Sequence, residues 1–395
     1  MNNQITERVK SLPVSATLAM AVKTQELRAE GKDVIGLSLG EPDFNTPDYI
    51  KDAAIQAIQD NYNSYTPVDG YKELKEAIVE KFERDNGLTY KPSQIVVSTG
   101  AKQAIANTLM VLLNPGDEVI LPTPYWVSYA ALAKLCEATC KEIPSQLEND
   151  YKISPAQLEE AITPKTKLVF LNSPSNPSGS IYTEQEYRAF AKVLEKHPNI
   201  FVLSDEIYEH INYDQKPFSF AKIESMFERT ITVNGLAKAF AMTGWRLGYL
   251  GAAEWIAKAC TKLQGQITSG TNCIAQRAAI TALKEPVSRI QYMVDEFKIR
   301  RDIVVSLLRN IEGFRVNVPA GAFYVFPDIS HFFGKNIKGV DINNASDFSM
   351  FLLNQANVAT VTGDAFGSPN CIRISYATSE EKIREALKRI KEAVS

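Results

Sequence analysis

Thr230-Ile231-Thr232-Val233-Asn234, followed at once by Gly235-Leu236-Ala237-Lys238-Ala239-Phe240-Ala241-Met242-Thr243-Gly244-Trp245-Arg246-Leu247-Gly248, is the stretch on which the fold turns. The first residues are β-branched and read as a strand. A run of small residues around one lysine then leads to Gly-Trp-Arg-Leu-Gly and a further strand, expected over 247–251. A lysine hemmed in by small and apolar neighbours sheds its charge cheaply, because desolvation lowers an amine pKa. That is the condition for a lysine that forms a Schiff base. Farther along, Arg246 stands in a glycine-flanked setting suited to a bidentate grip on an anion. Taken singly, each reads more simply as a surface lysine and a structural arginine.

Outward from this stretch, short apolar runs at 94–98, 118–122, 168–172 and 201–204 alternate with helical patterns at 102–113, 125–135 and 184–196. Strands alternating with helices predict an α/β fold with a mostly parallel central sheet flanked by helices. Beyond Pro286 the texture changes. A long charged helix (289–309), short strands (314–318 and 323–326), a helix (348–357), a strand (371–376) and a terminal helix from Ser379 read as a smaller α+β domain. A chain of 395 residues exceeds one compact core. The expected division is an N-terminal arm and part of the small domain over 1–48, a large domain over 49–288, and a small domain over 289–395.

Composition removes several classes of function. A formal net charge of -3 argues against nucleic acid as a partner, since phosphate backbones need a basic face. The start, MNNQITERVK, has no apolar signal core, and apolar runs such as 104–113 are too short to span a bilayer. The five cysteines are scattered, which fits a reducing, cytoplasmic compartment. Cys136 and Cys140, four apart, are expected on one helix face as small apolar groups. The three histidines lack metal-site spacing, so no metal is expected.

In parallel sheets ligands bind at the carboxyl ends of strands, and chemistry-bearing residues cluster at such ends here. Asp205 ends the run Val202-Leu203-Ser204 and could face a cation, with Tyr208 close behind; an ordinary turn is the plain alternative. Asn172-Ser173-Pro174-Ser175-Asn176-Pro177-Ser178-Gly179 reads by composition as a turn. Ser98-Thr99-Gly100-Ala101-Lys102 joins a strand to a helix, leaving backbone N–H groups for a phosphate, or serving simply as a tight turn. Pro124-Tyr125-Trp126-Val127-Ser128-Tyr129 supplies aromatic rings, for stacking or for core packing.

As a whole, the lysine segment resembles, position for position, the lysine signature of class I pyridoxal-phosphate-dependent aminotransferases. The likeness runs over essentially the whole chain, from Ser15-Ala16-Thr17 and Gly40-Glu41-Pro42-Asp43-Phe44 to Arg373-Ile374-Ser375-Tyr376. It is strongest to the bacterial aspartate aminotransferases of a subgroup that uses a lysine for the distal carboxylate. The resemblance implies the fold type I of such enzymes and pyridoxal 5′-phosphate as cofactor. It assigns Lys238 to the Schiff base, Asp205 to the ring nitrogen, and Tyr208 and Asn176 to the phenolate oxygen. Trp126 is assigned to ring stacking, with Tyr125 as the other candidate. Gly100, Ala101, Lys102 and Arg246 would hold the phosphate, joined by Tyr65 from the partner subunit of a homodimer. Many relatives carry a phosphate-binding serine where this chain has Gly235, so backbone and Arg246 must serve there. Arg373 and Gly40 would take the substrate α-carboxylate, and Lys102, Ser15 and Thr17 the distal one. Whether Lys102 serves substrate, phosphate or both stays open. The implied reaction moves an amino group between aspartate and 2-oxoglutarate; aromatic, alanine or broad specificity is the alternative. Some relatives also accept prephenate through a basic residue just before Ser-Ala-Thr. Leu12-Pro13-Val14 offers none.

Overall fold

Runs of Val, Ile and Leu bounded by turns become the main sheet of the computed structural model, which describes residues 4–395; residues 1–3 of the expected arm lie outside the described residues. Numbered in chain order within that sheet, the strands are β1 (Ile95–Ser98), β2 (Glu118–Pro122), β3 (Thr139–Ile143), β4 (Thr166–Asn172), β5 (Phe201–Asp205), β6 (Thr230–Gly235) and β7 (Gly248–Gly251). Their spatial order is β1-β7-β6-β5-β4-β2-β3. All neighbours run parallel except β7, which is antiparallel to both β1 and β6.

Both faces of the sheet are covered, as parallel sheets require. Val119, Leu121, Leu168, Phe170 and Leu203 point into one apolar cluster, while the alternate residues Ile120, Val169, Leu171 and Val202 point into another. The helix Glu184–Leu194 closes the second cluster with Tyr187, Phe190, Ala191 and Leu194, at helical spacing. It starts at a capping box, where Thr183 accepts from the Glu186 N–H and Glu186 accepts in return from the Thr183 N–H.

The later part forms a three-stranded antiparallel sheet in which Ile372–Ser375 lies between Val361–Thr362 and Tyr324–Val325. The helices Gln291–Arg309 and Glu380–Val394 pack together beside it. An N-terminal segment joins this region, since Ile35 and Gly36 pair in parallel with Val358 and Ala359.

Three expectations need correction. The run 314–318 is not a strand: Arg315 makes only an isolated bridge to Asp328, and Val318 is exposed. The helix expected from Tyr125 begins at Ser128, because the chain first turns through Thr123 and Pro124 at the end of β2. Cys136 and Cys140 do not share a helix face. Cys136 caps the helix Ser128–Leu135 and Cys140 lies on β3, although both pack against the same apolar cluster.

Candidate active site

The carboxyl ends of β4 and β5 and the loops after β1 and β6 border one cavity of about 370 Å³, which the N-terminal segment, Tyr324 and Arg373 also line. This is where a parallel sheet offers its ligand site.

Asp205, the last residue of β5, is buried. Tyr129 donates its hydroxyl to one carboxylate oxygen at 2.6 Å, and the Ile207 N–H donates to the other at 3.2 Å. Burial raises the Asp205 carboxyl to about 6, while the Tyr129 hydroxyl, the Ile207 N–H and the charge of Lys238 pull it back down. At neutral pH it is therefore an anion ready to face a cation. Asn172 secures the neighbourhood: its amide donates to the Asp205 carbonyl at 2.8 Å and its Oδ1 accepts from the Asn176 N–H at 2.8 Å.

Lys238 follows β6 and reaches across the cavity, its Nζ donating to the Gly40 carbonyl at 2.6 Å. Burial lowers its amine to about 8, helped by the nearby charges of Arg373 and Arg246 and opposed by Glu41 and Asp205. A neutral amine is thus accessible close to physiological pH, which an ordinary lysine does not offer. Tyr208 and Tyr324 share a hydroxyl–hydroxyl bond of 2.9 Å. Burial raises both phenols, so each remains a neutral donor at neutral pH.

One end of the cavity is shaped for an anion. The helix Ala101–Leu112 starts at Gly100, whose φ of +82° suits glycine alone, and the first N–H groups of a helix lack intrahelical acceptors. A β-carbon on Gly100 would lie 2.5 Å from Arg246 Nη2, and one on Gly248 would lie 2.2 Å from the Ala101 nitrogen. Bare glycines therefore bring the helix start, the arginine and β7 together. Gly235 pairs with Gly248 across β6 and β7, and a side chain there would meet the Gly248 Cα at 2.9 Å. The facing backbone leaves little room for a side chain at 235. Arg246 has a left-handed φ of 54° and donates to the Thr243 carbonyl at 2.8 Å.

Arg373 enters from the three-stranded sheet and is buried. It donates to Asn176 Oδ1 at 3.0 Å and to the Ser38 carbonyl at 2.6 Å, while its buried Nε has no partner among the described residues. The Arg373 guanidinium lies over the Tyr324 ring, 4.6 Å from ring centre to Cζ. Gly40 is a glycine for a local reason as well, since a β-carbon there would collide with the Tyr324 hydroxyl. Opposite, Lys102 Nζ sits 4.9 Å from the Trp126 ring centre. Its pKa is lowered by burial and by the charge of Arg246. Ser15 and Thr17 line the same mouth.

Of the residues that the resemblance assigns to cofactor or substrate, all but Gly100, Tyr65 and the alternative ring Tyr125 line this cavity. Gly100 lies just behind it, against Arg246. Tyr65 stands apart, with 97% of its surface exposed. The sequence reading passed over Tyr129, Asn172 and Tyr324. Tyr129 and Asn172 lay inside segments already marked, and the ring of Tyr125, the alternative to Trp126, turns away to bond Glu142 at 2.6 Å.

The cavity thus gathers four cationic side chains (Lys102, Lys238, Arg246, Arg373) against two carboxylates (Glu41, Asp205), one of them bonded by the Thr243 hydroxyl. Comparison with known proteins agrees with this geometry. An aspartate/prephenate aminotransferase of Cereibacter sphaeroides is 48% identical, over 95% of each chain. An aspartate aminotransferase of Rhizobium meliloti superposes with a TM-score of 0.96 at 44% identity, covering 99% of this chain and 98% of its own. The aspartate aminotransferase of Thermus thermophilus, solved with maleate, gives 0.93 at 38% identity, covering 99% and 100%. Residues 32–390 match the class I and II aminotransferases, and the chain belongs to that family.

Proposed function

We propose that this protein is an aspartate aminotransferase that works with pyridoxal 5′-phosphate. The observation that carries the reading is one cavity with a deprotonatable lysine at its floor, a buried arginine on one side and a second lysine on the other. A four-carbon dicarboxylate needs a cation for each carboxylate, and Arg373 and Lys102 supply them. The Thermus relative was solved with maleate, itself a four-carbon dicarboxylate.

The cofactor fits the residues present. The glycine-lined helix start with Arg246 forms a cradle that any β-carbon at Gly100 would fill. Arg373 keeps a buried N–H unpartnered beside the cavity. When bound, pyridoxal phosphate supplies an electron sink for charge developing at the substrate α-carbon. Gly100, Ala101 and Arg246 hold its phosphate, with Tyr65 contributed by the partner subunit of a homodimer. Asp205 keeps a proton on the ring nitrogen, since a cation beside a buried carboxylate favours the ionised form. Tyr208 and Asn176 orient the ring oxygen, and Trp126 covers the ring face. Lys238 would hold the cofactor covalently, then take the proton from the substrate α-carbon and deliver it on the far side of the substrate nitrogen; an amine titrating at about 8 suits both tasks. Arg373, with Gly40 alongside, grips the α-carboxylate, and Ser15, Thr17 and Lys102 the distal one. We assign 49–288 to the cofactor-binding domain and 289–395, with much of 1–48, to the domain that closes over substrate.

The Cereibacter relative is named for prephenate as well as aspartate. Ser11-Leu12-Pro13-Val14 places no basic residue immediately before Ser15. We therefore expect no use of prephenate. The test is steady-state transamination of aspartate and of alanine with 2-oxoglutarate, in the native protein and in Lys102→Ala. The reading expects KM for aspartate to rise about ten-fold or more, a loss of roughly 1.4 kcal/mol, with alanine little affected. Equal effects on both donors would remove Lys102 from distal recognition, and native activity with alanine or tyrosine alone would remove the aspartate assignment.

A further inference from the structure

We infer that Gln264, which does not border the cavity, is the positioning residue for its phosphate end, holding the loop 98–101 in register with the segment that carries Tyr65. The inference rests on the reading of Gly100, Ala101 and Arg246 as a phosphate cradle.

Gln264 lies in the helix Glu254–Ile267 and is fully buried. A glutamine amide has two acceptor positions and two donors, and here all four are used. Oε1 accepts from Ser98 Oγ at 2.7 Å and from Asn107 Nδ2 at 2.9 Å; Nε2 donates to the Val97 carbonyl at 2.8 Å and to the Val68 carbonyl at 2.7 Å. These partners come from different elements. Val97 and Ser98 end β1 just before the loop, Asn107 lies on the helix that the loop begins, and Val68 follows Tyr65. One planar group therefore sets strand end, helix start and the 65–71 segment relative to one another.

Neighbouring contacts continue the same construction. The Thr99 N–H donates to Gln103 Oε1 at 2.6 Å, and Gln103 Nε2 donates to Thr268 Oγ1 at 2.6 Å. Gln276, also fully buried, accepts from the Tyr71 N–H at 2.8 Å and donates to Thr66 Oγ1 at 3.1 Å and to the Thr271 carbonyl at 2.9 Å. Gln264 is the member that reaches the loop and the Tyr65 segment with a single side chain. No isostere reproduces it. Glutamate would set oxygens against two carbonyls, and methionine would leave every partner unpaired in a buried site.

A residue that only stabilises the fold would, when replaced, weaken every ligand alike. One that positions the phosphate cradle would weaken ligands that carry a phosphate. The experiment is equilibrium binding of pyridoxal 5′-phosphate and of pyridoxal, read by absorbance, to the native protein, Gln264→Glu and Gln264→Met. The expected result is a loss of about ten-fold or more for the phosphorylated form, with pyridoxal affinity nearly unchanged. Folded variants that lose affinity for both in equal proportion, or for neither, overturn the inference. A native protein that binds both forms equally overturns the cradle reading, and this inference with it. Should the Gln264 variants not fold, Ser98→Ala removes one of the four bonds and carries the same comparison: a shift of about three-fold in the ratio supports the inference, and an unchanged ratio overturns it.

Discussion

Asp205 owes its charge at neutral pH to the groups around it, the Tyr129 hydroxyl first among them. Burial alone would push the carboxyl higher than about 6, and the Tyr129 hydroxyl at 2.6 Å is the largest opposing influence. A hydrogen bond to a charged group is worth about 1.5–3 kcal/mol, so Tyr129→Phe should raise the Asp205 pKa by about one unit or more. The sign follows from linkage. The folded pKa already exceeds the ordinary 3.8, so Asp205 favours the folded state at low pH and that contribution is lost as pH rises from 3.8 through about 6. In the variant the loss extends to higher pH, and the acid limb of cofactor affinity should move up with it. Titrating cofactor binding from pH 5 to 8 in both proteins checks this; limbs that coincide would show that Tyr129 only packs. Lys238, Asp205 and Arg246 were legible in the sequence because each stands beside a strand end or in a motif. Tyr129 was not, because its direction depends on where the helix starts. With the helix at Ser128, Tyr129 stacks on Phe170 and aims its hydroxyl at β5. Periodicity alone cannot place that start.

The turn after β5 is clamped from behind by a helix end. Lys81, in the last turn of Lys72–Lys81, forms a buried ion pair with Glu209, and Asn86 of the following π-helical turn donates to Glu209 at 2.8 Å and to Glu206 at 3.3 Å. Burial would raise the Glu209 carboxyl, but Lys81, His210 and Asn86 hold it at about 2, whereas burial and the Glu209 charge lift Glu206 to about 7. These two residues alternate with Asp205 and Tyr208, so the turn is gripped on one side and faces the cavity on the other. Lys81→Met removes the lysine partner of a buried carboxylate and should cost about 3–5 kcal/mol, while Lys81→Met with Glu209→Gln should recover most of it. Urea unfolding of both variants tests the clamp; a double variant as unstable as the single one would refute it. The sequence marked the turn but not its clamp, since a long-range buried pair leaves no local pattern. It also missed β3, an edge strand whose Thr139 is exposed and whose Cys140 and Lys141 are only half-buried, so its burial lacks clean alternation. The buried strands β2, β4, β5 and β6 announced themselves because burial on both faces demands continuous apolar runs.

At the scale of the whole molecule, the family and architecture were readable from strand-end residues spread along the chain. The proposed share of a partner subunit in the site rests on resemblance alone. Tyr65 is nearly all in solvent, and Ile55 and Ile58, shortly before it in the sequence, are exposed as well. Its segment is nonetheless anchored by Thr66 and Val68 to Gln276 and Gln264, so the ring is presented rather than loose. A site completed by a second chain, as proposed, obeys mass action in two ligands at once. At fixed cofactor, the fraction of filled sites should fall as the protein is diluted through its pairing constant. By reciprocity, cofactor should tighten the pair by the same factor that pairing tightens cofactor. Cofactor retention measured over a dilution series, with and without Tyr65→Ala, tests this; retention independent of concentration in the native protein would mean that each chain builds its site alone. On that proposal, the exposure of one tyrosine would make protein abundance itself a variable that sets how much of the enzyme is loaded.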